Sequence, residues 1–212
     1  MSSLENITEL TDRMGLTDRE FQDALDEGVA VASVAGQISG KNLWSLDTDK
    51  GVILYAVTRV LRPSFCVETG VGPGVSSTFF LSALEKTGHG HLHSIDIGEK
   101  YGEEAETYPV GFLVPEELKN RWTLHVGDSR RLLVPLLNRL RTIDLFLHDS
   151  SHETEHVMFE LTAAWRHMKK GIIFVDNSSW TDAPELFSRN VGTDMIQLSG
   201  KSGGFCAIVK GF

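Results

Sequence analysis

Residues 65–76 read FCVETGVGPGVS, an apolar run that passes through a glycine turn. Phe65 to Glu68 predicts a buried strand, Gly70 to Gly74 a turn, and Val75 to Lys86 a helix. Because glycine has no Cβ, such a turn lets the backbone approach a ligand closely. A strand, a glycine turn and a helix in this order begin an α/β unit and predict a ligand at the turn.

Strands and helices alternate from this stretch to the C-terminus. The further strands are predicted at His91–Ile97, Trp122–Val126, Ile143–Leu147, Ile172–Val175, Met195–Leu198 and Phe205–Val209. Helices are predicted at Ser129–Leu140, Thr154–Lys169 and Ala183–Arg189, and residues 98–114 as a polar loop. Pro135 is expected to kink or shorten its helix. The pattern predicts an α/β fold with a doubly wound, mostly parallel, seven-stranded, Rossmann-like sheet and an antiparallel C-terminal hairpin.

The N-terminal part has a different pattern. Residues 1–46 predict a helical appendage, and residues 47–212 the main domain. Thr17 to Ala35 has helical spacing of apolar residues, and Thr17 with Glu20 resembles a capping box. Asp47 to Leu61 predicts a further helix. These early helices would suit packing on a second copy, so the sequence leaves a homodimer open.

Charge and composition exclude some classes of partner. A formal net charge of -9 over 212 residues argues against a protein that neutralises nucleic-acid phosphates. No apolar run approaches the ~20 residues that span a bilayer, and no signal peptide is visible. Cys66 and Cys206 lie in apolar runs and predict buried thiols in a reducing compartment. We therefore expect a cytoplasmic protein without nucleic-acid or membrane partners.

The glycine turn favours one kind of nucleoside ligand. Its pattern is G-x-G-x-G, with Gly70, Gly72 and Gly74, and Val75 stands where dinucleotide binders have the third glycine of G-x-G-x-x-G. Glu68 at the turn would repel a pyrophosphate but suit a cationic sulfonium. The turn therefore favours S-adenosylmethionine over NAD, although a purely structural turn stays open.

Two further segments extend this prediction. Asp96 ends the second predicted strand, where an acid can accept hydrogen bonds from ribose hydroxyls. Asp128 and Ser129 follow the third predicted strand, within reach of the adenine edge. An Asp that is simply solvated is the alternative interpretation for Asp96.

Oxygen-bearing side chains follow the next two predicted strands. Asp149 comes after one strand, and Asp176 and Asn177 come after its predicted neighbour. Carboxylate and amide oxygens are ligands that Mg²⁺ accepts, with places left for water and substrate. The three side chains therefore predict a divalent-cation site, with capping of turns and helices as the alternative.

His152 lies three residues after Asp149, at the predicted start of a helix. A helix N-terminus and a nearby cation both favour the neutral imidazole, which can act as a general base. The same segment, His152 to His156, also satisfies the H-E-x-x-H pattern of zinc peptidases, with Glu153 as base. We weigh this zinc alternative below the first because no third ligand is signalled.

Together these segments resemble the metal-dependent O-methyltransferases of the catechol O-methyltransferase type and the bacterial small and macrolide-sugar O-methyltransferases. The likeness covers about residues 47–212 and includes Asp49-Lys50-Gly51 and Leu132-Leu133-Val134-Pro135. It implies that Glu68, Gly70 and Ser76 lie near the methionine part of the cofactor. It also implies that Asp96 binds the ribose and that Asp149, Asp176 and Asn177 hold the metal. A histidine replaces the lysine base of the catechol enzyme.

The sequence thus predicts transfer of a methyl group from S-adenosylmethionine to the hydroxyl of a small molecule such as a sugar, phenol or natural product. Asp149 is expected to contact both cofactor and metal, and Trp44 and Trp180 to wall the acceptor pocket. Three alternatives remain at this stage. They are a non-catalytic protein that binds the cofactor, a zinc hydrolase that uses His152, Glu153 and His156, and an NAD oxidoreductase.

Overall fold

The computed structural model describes residues 2–38, 46–103, 106–199 and 202–212. The helices are α1 Ser2–Met14, α2 Asp18–Ile38, α3 Thr48–Leu61, α4 Val75–Thr87, α5 Ser129–Leu140, α6 Thr154–Arg166 and α7 Ala183–Asn190, with a 3₁₀ helix at Glu116–Arg121. The strands are β1 Phe65–Thr69, β2 His91–Asp96, β3 Lys100–Glu103, β4 Glu106–Pro109, β5 Trp122–Val126, β6 Leu145–His148, β7 Gly171–Asp176, β8 Met195–Ser199 and β9 Phe205–Lys210.

Seven strands form one sheet in the order β5-β2-β1-β6-β7-β9-β8. The first five strands in that order run parallel, and β9 pairs antiparallel with both β7 and β8. Successive strands move outward from β1 in both directions, so the order of the sheet reverses between β1 and β6. The seven-stranded, mostly parallel sheet with an antiparallel C-terminal hairpin is confirmed, and ligands of such sheets bind where the order reverses.

Both faces of the sheet are buried, and the side chains of β7 show this. Ile172 and Phe174 pack into a core with α1 to α4, whereas Ile173 and Val175 pack into a second core with α5 to α7. Successive side chains of a strand point to opposite faces, so an unbroken apolar run is what a strand covered on both sides requires. The central strands are therefore rigidly held, and the chain beyond their carboxyl ends forms the site.

The N-terminal helices share the first of these cores. Leu10 of α1 and Phe21 of α2 are fully buried in it. The side chain of Asn6 donates to the backbone carbonyl of Gln197 on the edge strand β8, at 2.5 Å. Thr17 and Glu20 exchange the two reciprocal hydrogen bonds of the expected capping box. The boundary at residue 46 stays a prediction.

Two local expectations were wrong. Residues 98–114 are not a simple loop, because β3 and β4 pair there as a two-stranded antiparallel hairpin. The expectation that Pro135 shortens its helix was wrong, since α5 continues to Leu140, whereas the alternative of a kink stays a prediction. Pro135 and Arg131 both face solvent, so water can satisfy the Arg131 carbonyl that the proline leaves without a donor. Across the described ranges, no helix is long and apolar enough to cross a membrane.

Candidate active site

A cavity of about 1140 Å³ opens at the carboxyl ends of the parallel strands. The glycine turn after β1, the chain ends after β2, β5, β6 and β7, and the β8–β9 turn all contribute to its wall. The predicted site residues on this wall are Gly70, Gly72, Ser76, Asp96, Asp128, Ser129, Asp149, His152, Asp176 and Asn177. Glu68 and Gly74 lie outside it. Trp180 is on the wall, whereas Trp44 falls outside the described residues.

The glycine turn packs directly on the chain that follows β6. Gly70 has a φ of +82°, and a Cβ built on it would lie 1.9 Å from the carbonyl oxygen of Asp149. Only glycine tolerates both this backbone conformation and this approach. Its N–H donates to the carbonyl of Ile95 at 2.9 Å. The turn therefore joins the ends of β1, β2 and β6.

Glu68 lies behind the cavity wall and supports it. Its carboxylate is fully buried and accepts hydrogen bonds from Ser76 at 2.9 Å, from Ser94 at 2.6 Å and from Ser77. Burial raises the pKa of Glu68 to about 7, against the opposing effect of the three serines. The acid therefore anchors the first turn of α4, and its predicted contact with the cofactor stays a prediction.

Asp96 organises the glycine turn from the end of β2. One carboxylate oxygen accepts from the backbone N–H groups of Val71 at 2.9 Å and Gly72 at 3.1 Å. The other accepts from the N–H of Gly98 at 3.0 Å. The carboxylate lines the cavity, and its remaining lone pairs are the ones that a ribose would meet.

The start of α5 forms the wall on the side of β5. Asp128 caps this helix by accepting from the N–H of Arg130 at 2.8 Å. Ser129 is buried, and its hydroxyl lies 3.0 Å from Nε2 of His156.

The last glycine of the turn after β1, Gly74, faces away from the cavity, because a Cβ there would meet Gly111 at 2.9 Å.

Asp149 and Asp176 come together as expected from their neighbouring strands. Their carboxyl groups interact electrostatically, and Lys50 Nζ lies 2.6 Å from Asp176 Oδ1 and 2.9 Å from the carbonyl of Ser202. Burial, followed by the charge of Asp176, raises the pKa of Asp149 well above its usual range. Burial also raises the pKa of Asp176, while Lys50 acts to lower it. A buried acid, Asp176, and a half-buried one, Asp149, therefore lie beside one lysine.

Asn177 and His152 complete this end of the cavity. Asn177 has a φ of +50°, a left-handed conformation that asparagine adopts more readily than most residues. Its Nδ2 lies 3.0 Å from Nε2 of His152. Burial, then the charge of His148, lowers the pKa of His152 to about 4, so this ring is neutral near pH 7. Its ring stands edge-on to Trp180 at 4.9 Å between centroids.

The alternative of a zinc site at His152 to His156 is not supported. Helix α6 begins at Thr154 with Glu153 as its N-cap, so His152 lies before the helix rather than on one face of it with His156. Both nitrogens of His156 are in use, with Arg130 Nε donating to Nδ1 at 3.1 Å and Glu160 at 2.8 Å from Nε2. Within the described part of the chain, no three His, Cys, Asp or Glu side chains form a metal-binding group.

Three residues that support the site carry no local motif in the sequence. Lys50 enters the sequence prediction only as part of the family stretch, and no role is predicted there for His148 or Glu160. The available signal was a charged or polar side chain within an apolar run. Lys50 precedes the apolar helical face of α3, His148 ends the run LFLH, and Glu160 follows His156 by one helical turn. Such residues are rarely buried without partners.

Comparison with known proteins gives a consistent family and fold. Residues 67–178 match a family model described as a methyltransferase domain. No curated protein sequence matches the chain. Many solved structures do match it in fold.

Three of these structures illustrate the likeness. The O-methyltransferase TomG from Streptomyces achromogenes, involved in tomaymycin synthesis and solved with SAM, has a TM-score of 0.58 at 18% identity, covering 87% of this chain and 90% of its own. An O-methyltransferase from Bacillus cereus, solved with SAH, has a TM-score of 0.59 at 14% identity, covering 96% of each chain. A candidate caffeoyl-CoA O-methyltransferase from Staphylococcus aureus has a TM-score of 0.65 at 13% identity, covering 92% and 100%. At these identities the likeness shows the fold.

Proposed function

The chain belongs to the methyltransferase domain family, and from that premise we propose that it moves a methyl group from S-adenosylmethionine (SAM) to a hydroxyl of a small molecule. The observation that carries the proposal is the pairing of two half-sites along one cavity. A glycine turn backed by Asp96 forms one half, and Asp149, Asp176, Asn177 and His152 form the other. Neighbouring structures that hold SAM or its product S-adenosylhomocysteine (SAH) support the cofactor.

In this proposal Gly70, Gly72 and Ser76 border the methionine part of the cofactor, and Asp96 accepts from its ribose. Asp128 and Ser129 border the adenine. Asp149 stands between the two half-sites, because its backbone touches Gly70 while its carboxyl group meets Asp176. That position would place the methyl donor beside the acceptor, and holding two reactants in line removes much of the barrier to their reaction.

The acidic half-site fits a divalent cation. Two neighbouring carboxyl groups with raised pKa values lie beside a single lysine, so a divalent cation would displace the proton that the pair holds, and the amide of Asn177 adds a third oxygen. Mg²⁺ prefers such oxygen ligands and usually keeps several waters. Asp149, Asp176 and Asn177 would hold it, and a bound Mg²⁺ would orient the acceptor hydroxyl and make it more acidic.

His152 is the proposed general base. Because Asn177 Nδ2 is a donor, its 3.0 Å contact means that Nε2 of His152 is the unprotonated ring nitrogen, whose lone pair accepts this bond. The acceptor hydroxyl would compete with Asn177 for this lone pair and pass its proton to it. The neutral state of the ring near pH 7 is the one that can accept.

Calorimetric titration with SAH tests the cofactor, first with Mg²⁺ and then with EDTA. We expect micromolar binding by the wild-type protein, weakened about tenfold or more in Asp96→Ala, since the loss of hydrogen bonds to the ribose and to the turn costs at least 1.4 kcal/mol. NADH serves as the control ligand and is expected not to bind. No heat with SAH in either condition would contradict the proposal.

Methyl transfer to a panel of sugars, phenols and vicinal diols tests the reaction. We expect transfer to at least one hydroxyl and a loss of transfer in EDTA that Mg²⁺ restores. SAH binding without transfer to any hydroxyl would favour a protein that only binds the cofactor. Transfer that is indifferent to EDTA would remove the metal from the proposal and leave the methyltransferase assignment standing.

A further inference from the structure

Glu160 of α6 is a buried carboxylate with four hydrogen-bond donors. It is fully buried and does not line the cavity. The donors come from Thr69 Oγ1 at 2.5 Å, His148 Nδ1 at 2.7 Å, His156 Nε2 at 2.8 Å and Ser150 Oγ at 3.0 Å. Burial acts to raise the pKa of Glu160, but the bonds from the two histidines outweigh it and leave the pKa far below its usual value. The group is therefore a buried anion that serves only other side chains.

The protonation of His156 follows from its neighbours. Arg130 has only donors, so the 3.1 Å contact from its Nε fixes the lone pair of His156 on Nδ1. The proton of that ring is then on Nε2, where it points at Glu160 and at the hydroxyl of Ser129. Arg130 thus prevents His156 from exchanging its tautomer when Glu160 changes.

The donors of Glu160 lie on, or directly behind, three parts of the cavity wall. Thr69 is the last residue of β1 and precedes the glycine turn at Gly70. His148 is the last residue of β6 and precedes Asp149. His156 reaches the start of α5 through Ser129. One carboxylate therefore holds three chain segments that meet around the cavity.

His148 extends this network toward His152. The His148 ring stands edge-on to the His152 ring, with centroids 5.7 Å apart. Among the buried side-chain nitrogen and oxygen atoms in the described ranges, Nε2 of His148 alone has no hydrogen-bond partner. The bond from Nδ1 to Glu160 is thus what fixes the orientation of this ring. A carboxylate that accepts from one ring nitrogen of a histidine fixes the orientation of that ring.

We propose that Glu160 is a positioning residue of the methyl-transfer site. It orients the His148 ring, which packs against His152, and through Thr69 and His156 it holds two walls of the cofactor cavity. This inference rests on the proposed function, which makes the cavity a site for the cofactor and the methyl acceptor. Neither Glu160 nor His148 lines the cavity, so both act through other residues.

The variant Glu160→Gln tests the proposal, because the amide keeps the shape of the carboxylate but replaces one accepting oxygen with an NH₂ group that only donates hydrogen bonds. Arg130 keeps His156 as a donor, so the NH₂ group of the glutamine is expected to face His148 and Thr69. Histidine ¹⁵N NMR should then show His148 losing the proton on Nδ1 that the carboxylate holds and carrying a proton only on Nε2, while His156 stays unchanged. The Kd for SAH should rise about tenfold or more.

Asp144→Asn is the matched control. Asp144 accepts from the backbone N–H groups of Ser64 at 2.7 Å and Phe65 at 3.1 Å, so it joins β1 to β6 at the amino ends of these strands, away from the cavity. The control should lower the thermal midpoint and leave both the histidine signals and SAH affinity unchanged. A Glu160→Gln protein that behaves like this control would overturn the proposal.

Two further measurements keep the test decisive. If Glu160→Gln does not fold, Thr69→Val removes one donor from the same carboxylate in an isosteric way, and its Kd for SAH should rise about threefold, as expected for one hydrogen bond. An unchanged Kd would count against the proposal. The histidine tautomers are read without ligand, so a wild-type protein that fails to bind SAH refutes the proposed function separately.

Discussion

Lys50 is the residue on which the charge balance of the acceptor side depends. Its side chain is 2% exposed, and its ammonium group lies 2.6 Å from Asp176 Oδ1. Removing one partner of a buried ion pair leaves an uncompensated charge, which is far more costly than the pair itself is stabilising. The same lysine also fixes the β8–β9 turn through the carbonyl of Ser202.

We therefore expect Lys50→Met to lower the free energy of unfolding by about 3–5 kcal/mol. If the acidic half-site takes a divalent cation, millimolar Mg²⁺ should recover more of this loss in Lys50→Met than in the wild type, because the cation binds only the folded state. Thermal unfolding with Mg²⁺ and with EDTA measures both effects. Equal responses of the two proteins to Mg²⁺ would count against the cation site.

His152→Ala tests the base. Loss of a positioned base is expected to lower kcat about 10²-fold or more on any hydroxyl that the acceptor screen identifies, while the Kd for SAH changes little. Ser151→Ala is the control, since Ser151 lines the same cavity without a role in the proposal. A His152→Ala protein with the turnover of the wild type would remove the base assignment.

Glu68→Gln tests the effect of a buried acid on the pH dependence of stability. The folded-state pKa of Glu68 is about 7, above its ordinary value of 4.5, so between these values the folded protein holds a proton that the unfolded chain has released. Wild-type stability should therefore fall as pH rises from 4.5 to 7, by up to about 3 kcal/mol from this group. Denaturant unfolding of Glu68→Gln should show a flatter profile over that range. An unchanged profile would mean that Glu68 is ionised throughout.

At the scale of elements, β2 and β5 carry a row of histidines at one side of the sheet. His93 Nδ1 lies 3.2 Å from His125 Nε2, and the rings of His91 and His93 are 4.8 Å apart. Burial, followed by the charges of His91 and His125, lowers the pKa of His93 to about 4. The pairing of these two strands therefore depends on the rings staying neutral.

This row predicts a loss of stability in acid. The folded-state pKa of His93 is below its ordinary value of 6.5, so the unfolded chain takes up protons first and stability falls as pH decreases from 6.5 toward 4. His93→Gln should reduce the slope of thermal midpoint against pH in that range. The exposed His89, replaced by Gln, is the control and should leave the slope unchanged. Equal slopes in all three proteins would contradict this account.

The sequence predicted an element well where the element has a local apolar pattern, and poorly where it has none. The buried strand at β7, GIIFVD, has an apolar run that only a covered strand explains, and its end could be placed within one residue of Asp176. The strands KYGE and ETYP have no such pattern, so the β3–β4 hairpin was predicted as a loop. Their pairing is decided by contacts between segments rather than by composition.

The same distinction applies to the site. The proximity of Asp149 and Asp176 could be predicted, because the carboxyl ends of neighbouring parallel strands lie side by side at the same end of the sheet. The role of Glu160 could not, because its four donors come from β1, β6, the loop after β6 and α6 itself. Lys50 likewise reaches Asp176 across 126 positions in the sequence. Residues that act by holding others leave little local pattern.

At the scale of the whole molecule, the N-terminal helices and the sheet share one core. Leu10 is fully buried with residues of β7 and β9. We expect Leu10→Ala to cost about 2–5 kcal/mol, as for other buried leucines, and to lower the single unfolding transition of the whole chain. Leu186→Ala, at a residue that is 44% exposed, is the control. A loss below about 0.5 kcal/mol, or a separate early transition, would make residues 1–46 an independent appendage.

The contact of Gly70 with the Asp149 carbonyl has a consequence for how this protein can change. The donor side and the acceptor side of the cavity meet there through main chain, with no side chain between them to adjust. A substitution that shifts the chain after β6 to admit a bulkier acceptor would also shift the turn that faces the cofactor. New acceptor preferences should therefore arise more readily from the β8–β9 turn and the chain around Trp180, which can vary without disturbing that shared wall.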